Sequence, residues 1–151
     1  MSATPVALLD VNVLVALFFP DHVHHGLAHD WFADYRHNGW ATCPITENGL
    51  IRVACRQPAD EEPIRPATVL DYLRRFCADK HHRTWADSVC LTDTSLFAPQ
   101  FIRGPGQLTD VYLLGLAAKM GGRLASFDRT IPLAAVRGAS AEILQVIAPA
   151  E

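Results

Sequence analysis

Near its start the chain runs Val6-Ala7-Leu8-Leu9 straight into an acid, Asp10, and continues as Val11-Asn12-Val13-Leu14. Apolar residues without alternation fit a strand buried on both faces, the kind found in the middle of a parallel sheet. Parallel strands need crossover helices, so this stretch alone points to an α/β fold. Asp10 falls where the strand ends. In open α/β sheets the chemistry lies outside the carboxyl ends of the strands. A lone buried carboxylate is too costly to keep, so Asp10 requires partners from elsewhere in the chain.

The rest of the sequence supplies elements for such a sheet. Residues 11–19 fit helix or strand by periodicity, with Asn12 as a possible cap and Pro20 as the stop. Residues 21–38 repeat apolar positions every three or four residues, predicting an amphipathic helix closed by Asn38-Gly39. A short strand follows at 40–43, then a helix opened by Pro44 and Thr46. Residues 57–66, with three prolines and three acids, read as a loop. Helix is expected over 67–79 and 108–120, and strands over 83–85, 123–127 and 143–147. Residues 87–97 are ambiguous, with a short helix around 94–97. The alternation describes a three-layer α/β/α sandwich on a parallel sheet of four to five strands, with right-handed crossovers.

With 151 residues, half of them hydrophobic, residues 1–151 are expected to form a single domain. No run reaches the roughly 18 apolar residues of a membrane span, and Met-Ser-Ala-Thr-Pro lacks the basic start of a secretory signal. The expected location is therefore cytoplasmic, without a membrane partner. A net charge of −3 argues against a generic nucleic-acid clamp. It leaves room for an enzyme that brings its positive charge as bound metal. Cys43, Cys55, Cys77 and Cys90 lack zinc-motif spacing and are read as small core hydrophobes.

Two strands run into acids, Asp10 and Asp128, and two helices start near acids, Glu47 and Asp110. Strand ends and the following helix starts share one edge of a parallel sheet, so the four carboxylates can meet in one cleft. Two carboxylates about 4 Å apart repel by roughly 4 kcal/mol at an effective dielectric of 20. Four therefore need a cation or some protonation, and Mg²⁺ or Mn²⁺ suits an all-oxygen nest. Plain capping is the alternative for Glu47 and Asp110. Thr109 and Ser126 stand beside these acids, either orienting water or capping helices.

Four motifs in order, Leu8-Leu9-Asp10-Val11-Asn12-Val13-Leu14, Cys43-Pro44-Ile45-Thr46-Glu47-Asn48-Gly49-Leu50-Ile51-Arg52, Leu108-Thr109-Asp110-Val111-Tyr112-Leu113 and Leu124-Ala125-Ser126-Phe127-Asp128-Arg129, resemble the PIN-domain family. Within it they look most like the VapC-type toxins of bacterial toxin–antitoxin pairs. The resemblance implies an endoribonuclease dependent on Mg²⁺ or Mn²⁺, with Asp10, Glu47, Asp110 and Asp128 as its acidic quartet and Ser126 as its hydroxyl residue. Asn12 falls at a position that family often fills with a polar residue. It further implies a homodimer, a small cognate antitoxin that enters the active-site groove, and an RNA substrate (tRNA, rRNA or mRNA).

Arg52 and Arg129 could hold a phosphate or an antitoxin carboxylate, or form surface salt bridges. His25 and His29 share a helix face with His22 and His24 nearby, which is read as solvated rather than metal-binding. Trp31 and Trp85 are read as core or dimer contacts. A non-catalytic binding module on the same fold is the rival reading, although such a module has no use for four mutually repelling acids. A phosphate-transferring receiver-type domain would need an acid where Asn12 stands.

Overall fold

The structure is a computed structural model that describes residues 4–56 and 62–149. Its centre is a five-stranded sheet in the order β3-β2-β1-β4-β5, with every pair parallel. The strands are β1 (Ala7–Leu9), β2 (Trp40–Thr42), β3 (His82–Thr84), β4 (Arg123–Ser126) and β5 (Leu144–Val146). Five α-helices accompany them: α1 (Val11–Phe18), α2 (His25–Tyr35), α3 (Pro44–Ala54), α4 (Pro66–Phe76) and α5 (Leu108–Lys119). Among the described residues no helix is long and apolar enough to cross a membrane.

β1 is buried throughout because it has a sheet neighbour on each edge and helices on each face. Successive side chains point to opposite faces, and the core divides accordingly. Ala7, Leu9, Trp40 and Ala125 pack with α1 to α4. Leu8, Ala41, Cys43 and Leu124 pack with α5. Each fully buried Leu here contributes about 1.5–3 kcal/mol relative to exposure.

Several local expectations change. Residues 11–18 settle as helix, and its cap is Asp10 rather than Asn12. Asp10 holds the extended backbone of an N-cap and its Oδ1 accepts from the Val13 N–H at 2.9 Å. α2 starts at His25, not Asp21, because 20–24 form turns in which the His24 N–H donates to His22 Nδ1. His29 is exposed and His25 half-buried, and both also reach back to α1. Their ring nitrogens pair with the Ala16 and Leu17 carbonyls at 2.7 and 2.9 Å, satisfying the last turn of α1. α4 begins one residue early at Pro66, which suits the first helical position, and stops at Phe76. Asp79 is instead engaged outside the helix by the Trp40 indole N–H and by Arg36.

β2 yields Cys43 to the cap of α3, and β3 and β5 are each displaced or shorter than expected. No helix forms over 94–97. Phe97 there makes an isolated antiparallel bridge to Val136. Of the 57–66 loop, residues 57–61 lie outside the described residues, and 62–65 carry neither helix nor strand. Only Cys43 of the cysteines is a core residue; Cys55 and Cys77 are half-buried and Cys90 is exposed. Trp31 and Trp85 are buried core.

The larger departure is α5. The sequence suggests one apolar face, yet every residue from Val111 to Ala117 is buried. A helix apolar all round must be covered all round. The sheet covers one side, while Trp85, Val89, Phe97, Ile131, Ala135 and Val136 cover the other. Gly115 is where the cover comes closest, since a Cβ there would overlap the ring of the fully buried Phe97. Gly115→Ala should therefore lower stability. Overpacking costs about 1–3 kcal/mol, against roughly 1 kcal/mol gained in helix propensity. Chemical denaturation checks the sign, and an unchanged or raised midpoint would show that Phe97 is free to move.

Candidate active site

The order of the strands creates the site. From β1 the chain steps through β2 to β3 on one side, while β4 and β5 lie on the other. Where the direction reverses, between β1 and β4, the connections leave toward opposite sides and a crevice opens at the carboxyl ends. Asp10 directly follows β1, and Asp128 stands two residues past β4. Asp110 reaches the same place from the first turn of α5.

Asp10 is only 4% exposed. Burial pushes its carboxyl up to about 6, opposed by hydrogen bonds from Ser126 and the Val13 N–H and reinforced by the charges of Asp110 and Asp128. The half-buried Asp110 is also raised, first by burial and then by Asp128. Ser126 joins two of the three acids. Its hydroxyl hydrogen-bonds Asp10 and accepts the Asp128 N–H at 3.0 Å. Asp128 Oδ1 in turn accepts from the Thr130 N–H and hydroxyl at 2.8 and 2.6 Å, which fixes the loop after β4.

Asp10 and Asp110 open into a cleft of about 660 Å³, which Asn12 and Thr109 also line. α3 forms the opposite wall through Ile45, Asn48, Gly49, Arg52 and Val53, with Arg56 just beyond its end. Arg52 is held there by its own helix, its Nη2 donating to Asn48 Oδ1 at 2.8 Å. Gly49 lets the walls approach, because a Cβ at that position would lie 2.6 Å from Val11 Cγ2.

Asp10 and Asp110 thus line the cleft together with Asn12, Thr109 and Arg52, whereas Asp128 is exposed and does not line it, acting on both acids through its charge. Arg129 is exposed and does not line the cleft. Glu47 departs from the expectation. Its carboxylate accepts from the Thr42 hydroxyl at 2.7 Å, and its charge acts on Cys77 and His82 rather than on Asp10 or Asp110. The physical reason is helical phase. Ile45, Asn48, Gly49 and Arg52 share the cleft face of α3, and Glu47, two positions from both Ile45 and Gly49, projects elsewhere. In the cleft wall stands instead Asp87, which sequence reading missed. It follows β3 by three residues, so the strand-end rule that picked out Asp10 could have found it.

Three carboxylates with no sulfur or imidazole among them suit a hard divalent cation by donor type. The raised pKa of Asp10 reflects its burial and the charges of the other two.

Comparison with known proteins identifies the family. The PIN domain family matches residues 7–137. Ribonuclease VapC44 of Mycobacterium tuberculosis is 41% identical over 141 residues, which span 93% of this chain and 99% of that protein. Ribonuclease VapC39 of the same organism is 39% identical over the same shares. Ribonuclease VapC38 is 42% identical over 123 residues, 82% of this chain and 85% of its own length.

The burial of Asp10 makes a pH-dependent stability. Its carboxyl rises from 3.8 to about 6 on folding, so the folded state binds the proton more tightly than the unfolded state does. The cost of the charge is then fully present above about pH 6, where it amounts to roughly 3 kcal/mol, and vanishes as pH falls below about 4. Asp10→Asn keeps the N-cap and removes that cost. In EDTA the variant should melt above the wild type at about pH 7.5, with the gap closing toward about pH 4. Equal melting temperatures at both ends would mean that the carboxylate is not held under strain.

Proposed function

The chain belongs to the PIN domain family, and we infer that it is a metal-dependent endoribonuclease, the toxin of a toxin–antitoxin pair. The observation that carries this reading is the buried Asp10 carboxylate facing Asp110 and Asp128 at the switch between β1 and β4. The identity to proteins named as ribonucleases, over nearly the full length of both chains, supports it.

In this reading Asp10, Asp110 and Asp128 hold Mg²⁺, for which Mn²⁺ can substitute. A cation bound there lowers the pKa of water and neutralises charge on the attacked phosphate. Ser126 keeps Asp10 and the backbone of Asp128 in register. Asn12 and Thr109 offer polar groups to the attacking water or the ribose. Arg52 and Arg56 supply the positive wall along which the RNA phosphates run, and their guanidiniums suit bidentate contact. Arg129, next to Asp128, extends that contact outward. Glu47 completes a quartet only on leaving the Thr42 hydroxyl, so the reading rests on the three aspartates. Asp87 is a further carboxylate able to orient water at the cleft wall.

The substrate is an RNA phosphodiester in tRNA, rRNA or mRNA, offered in a single-stranded stretch that can lie along an open cleft. The partners are a second copy of the chain and a small antitoxin that occupies the cleft. Exposed Tyr72 on α4, lining an apolar cavity of about 530 Å³ with Phe18, Phe19 and Phe76, supports a protein partner on that side. The four free thiols fit a cytoplasmic setting.

RNA cleavage should stop in EDTA and return with Mg²⁺ or Mn²⁺; cleavage that persists in EDTA overturns the mechanism. Asp10→Asn and Asp110→Asn should fold, bind the antitoxin and no longer arrest growth. Ser126→Ala should lower cleavage about 10- to 100-fold. Growth arrest by Asp10→Asn at wild-type protein levels would favour the binding-module reading instead. Light scattering at micromolar concentration should give the mass of a dimer, and a monomer would refute that part.

A further inference from the structure

A second group of donors lies away from the aspartate cleft. Glu47 of α3, Cys77 at the C-cap of α4 and His82 at the start of β3 each place one ligand atom within 4.8 Å of the other two. They share a small cavity of about 270 Å³ with Arg74 and Thr84, open enough for an ion to enter. Arg74, at the cavity rim, is exposed and pairs with Asp71 at 3.7 Å. The buried Thr42 hydroxyl organises the donors. It donates to Glu47 Oε2 at 2.7 Å and pairs with His82 Nε2 at the same distance. His82 is further held against the Trp40 ring, with centroids 4.6 Å apart.

We propose that Glu47, Cys77 and His82 form a site for a borderline-soft divalent cation, of which Zn²⁺ is the type, distinct from the hard-cation nest of Asp10, Asp110 and Asp128. The donor chemistry selects the ion: a thiolate, an imidazole and a carboxylate match zinc, whereas Mg²⁺ prefers oxygen alone. A tetrahedron around zinc has ligand spacings of about 3.3 to 3.8 Å. Small rotations of three half-buried side chains close the difference. Three protein ligands leave the fourth position to water, as the cavity allows. Without a cation the thiol is kept protonated by burial and by the Glu47 charge, its pKa standing at about 11. A bound cation reverses that balance and releases the thiol proton. The three ligands come from three elements, so an ion there clasps the end of α4 and the start of the edge strand β3 to α3.

This site stands independently of the nuclease reading, and its test separates the two. Metal-stripped full-length protein is titrated with Co²⁺ and with Zn²⁺ in excess Mg²⁺. Co²⁺ should give one equivalent of a tetrahedral visible spectrum with a thiolate charge-transfer band. The band should vanish in Cys77→Ser, weaken sharply in His82→Gln, and persist in Cys90→Ser and Asp10→Asn. Zn²⁺ at about a hundred times its dissociation constant should raise the melting temperature by roughly 5 °C or more in the wild type and not in Cys77→Ser. Mg²⁺-dependent RNA cleavage should survive in Cys77→Ser. A Co²⁺ complex without the thiolate band, or a band that survives Cys77→Ser, would overturn the proposal while leaving the aspartate cleft untouched.

Discussion

One carboxylate out of water governs this molecule. Asp10 is buried at the end of the most protected strand, with Asp110 and Asp128 close enough to raise its pKa further. Burial is the larger cost, and the charges of Asp110 and Asp128 add to it. Folding tolerates this because the same carboxylate caps α1 and accepts from Ser126, each a hydrogen bond to an ionised group. The sheet order puts the three acids at one edge, and the burial of Val111 to Ala117 fixes the helix whose first turn carries Asp110. The core thus holds near one another three groups that repel, and a bound cation would relieve them.

The parallel sheet and the convergence of Asp10, Asp110 and Asp128 were legible because they follow from local pattern. An apolar run ending on an acid marks both a buried strand and its carboxyl end, and the helix start at Asp110 lies on that same edge. Glu47 was misplaced by a rule that counted the edge but not the phase. Its neighbours Ile45, Asn48, Gly49 and Arg52 carry the cleft face at helical spacing, so the sequence held the information. Asp87 was missed although a strand was expected at 83–85, because the strand-end rule was applied only where an apolar run meets an acid directly and β3 has no buried residue.

Other features were not legible at all. His25 and His29 meet the carbonyls of α1 only after α2 folds back, a contact between residues 9 and 12 positions apart. No periodicity reports such a pairing. The cover over α5 is likewise built from turns and bridges around Phe97 and Val136, whose apolar residues are too scattered to announce an element. Cys77, Glu47 and His82 belong to separate elements as well, and only tertiary folding brings their donor atoms together.

Gly49 bears on how the cleft behaves as an opening. With a hydrogen in place of a side chain, it lets α3 rest against Val11 at the start of α1, where even one added methyl would meet Val11 Cγ2 at 2.6 Å. The spacing between the wall bearing Arg52 and the wall bearing Asp10 is thus set in part by how closely these two helices pack. A larger residue at position 49 would act on the width of the opening without touching any of its charged groups.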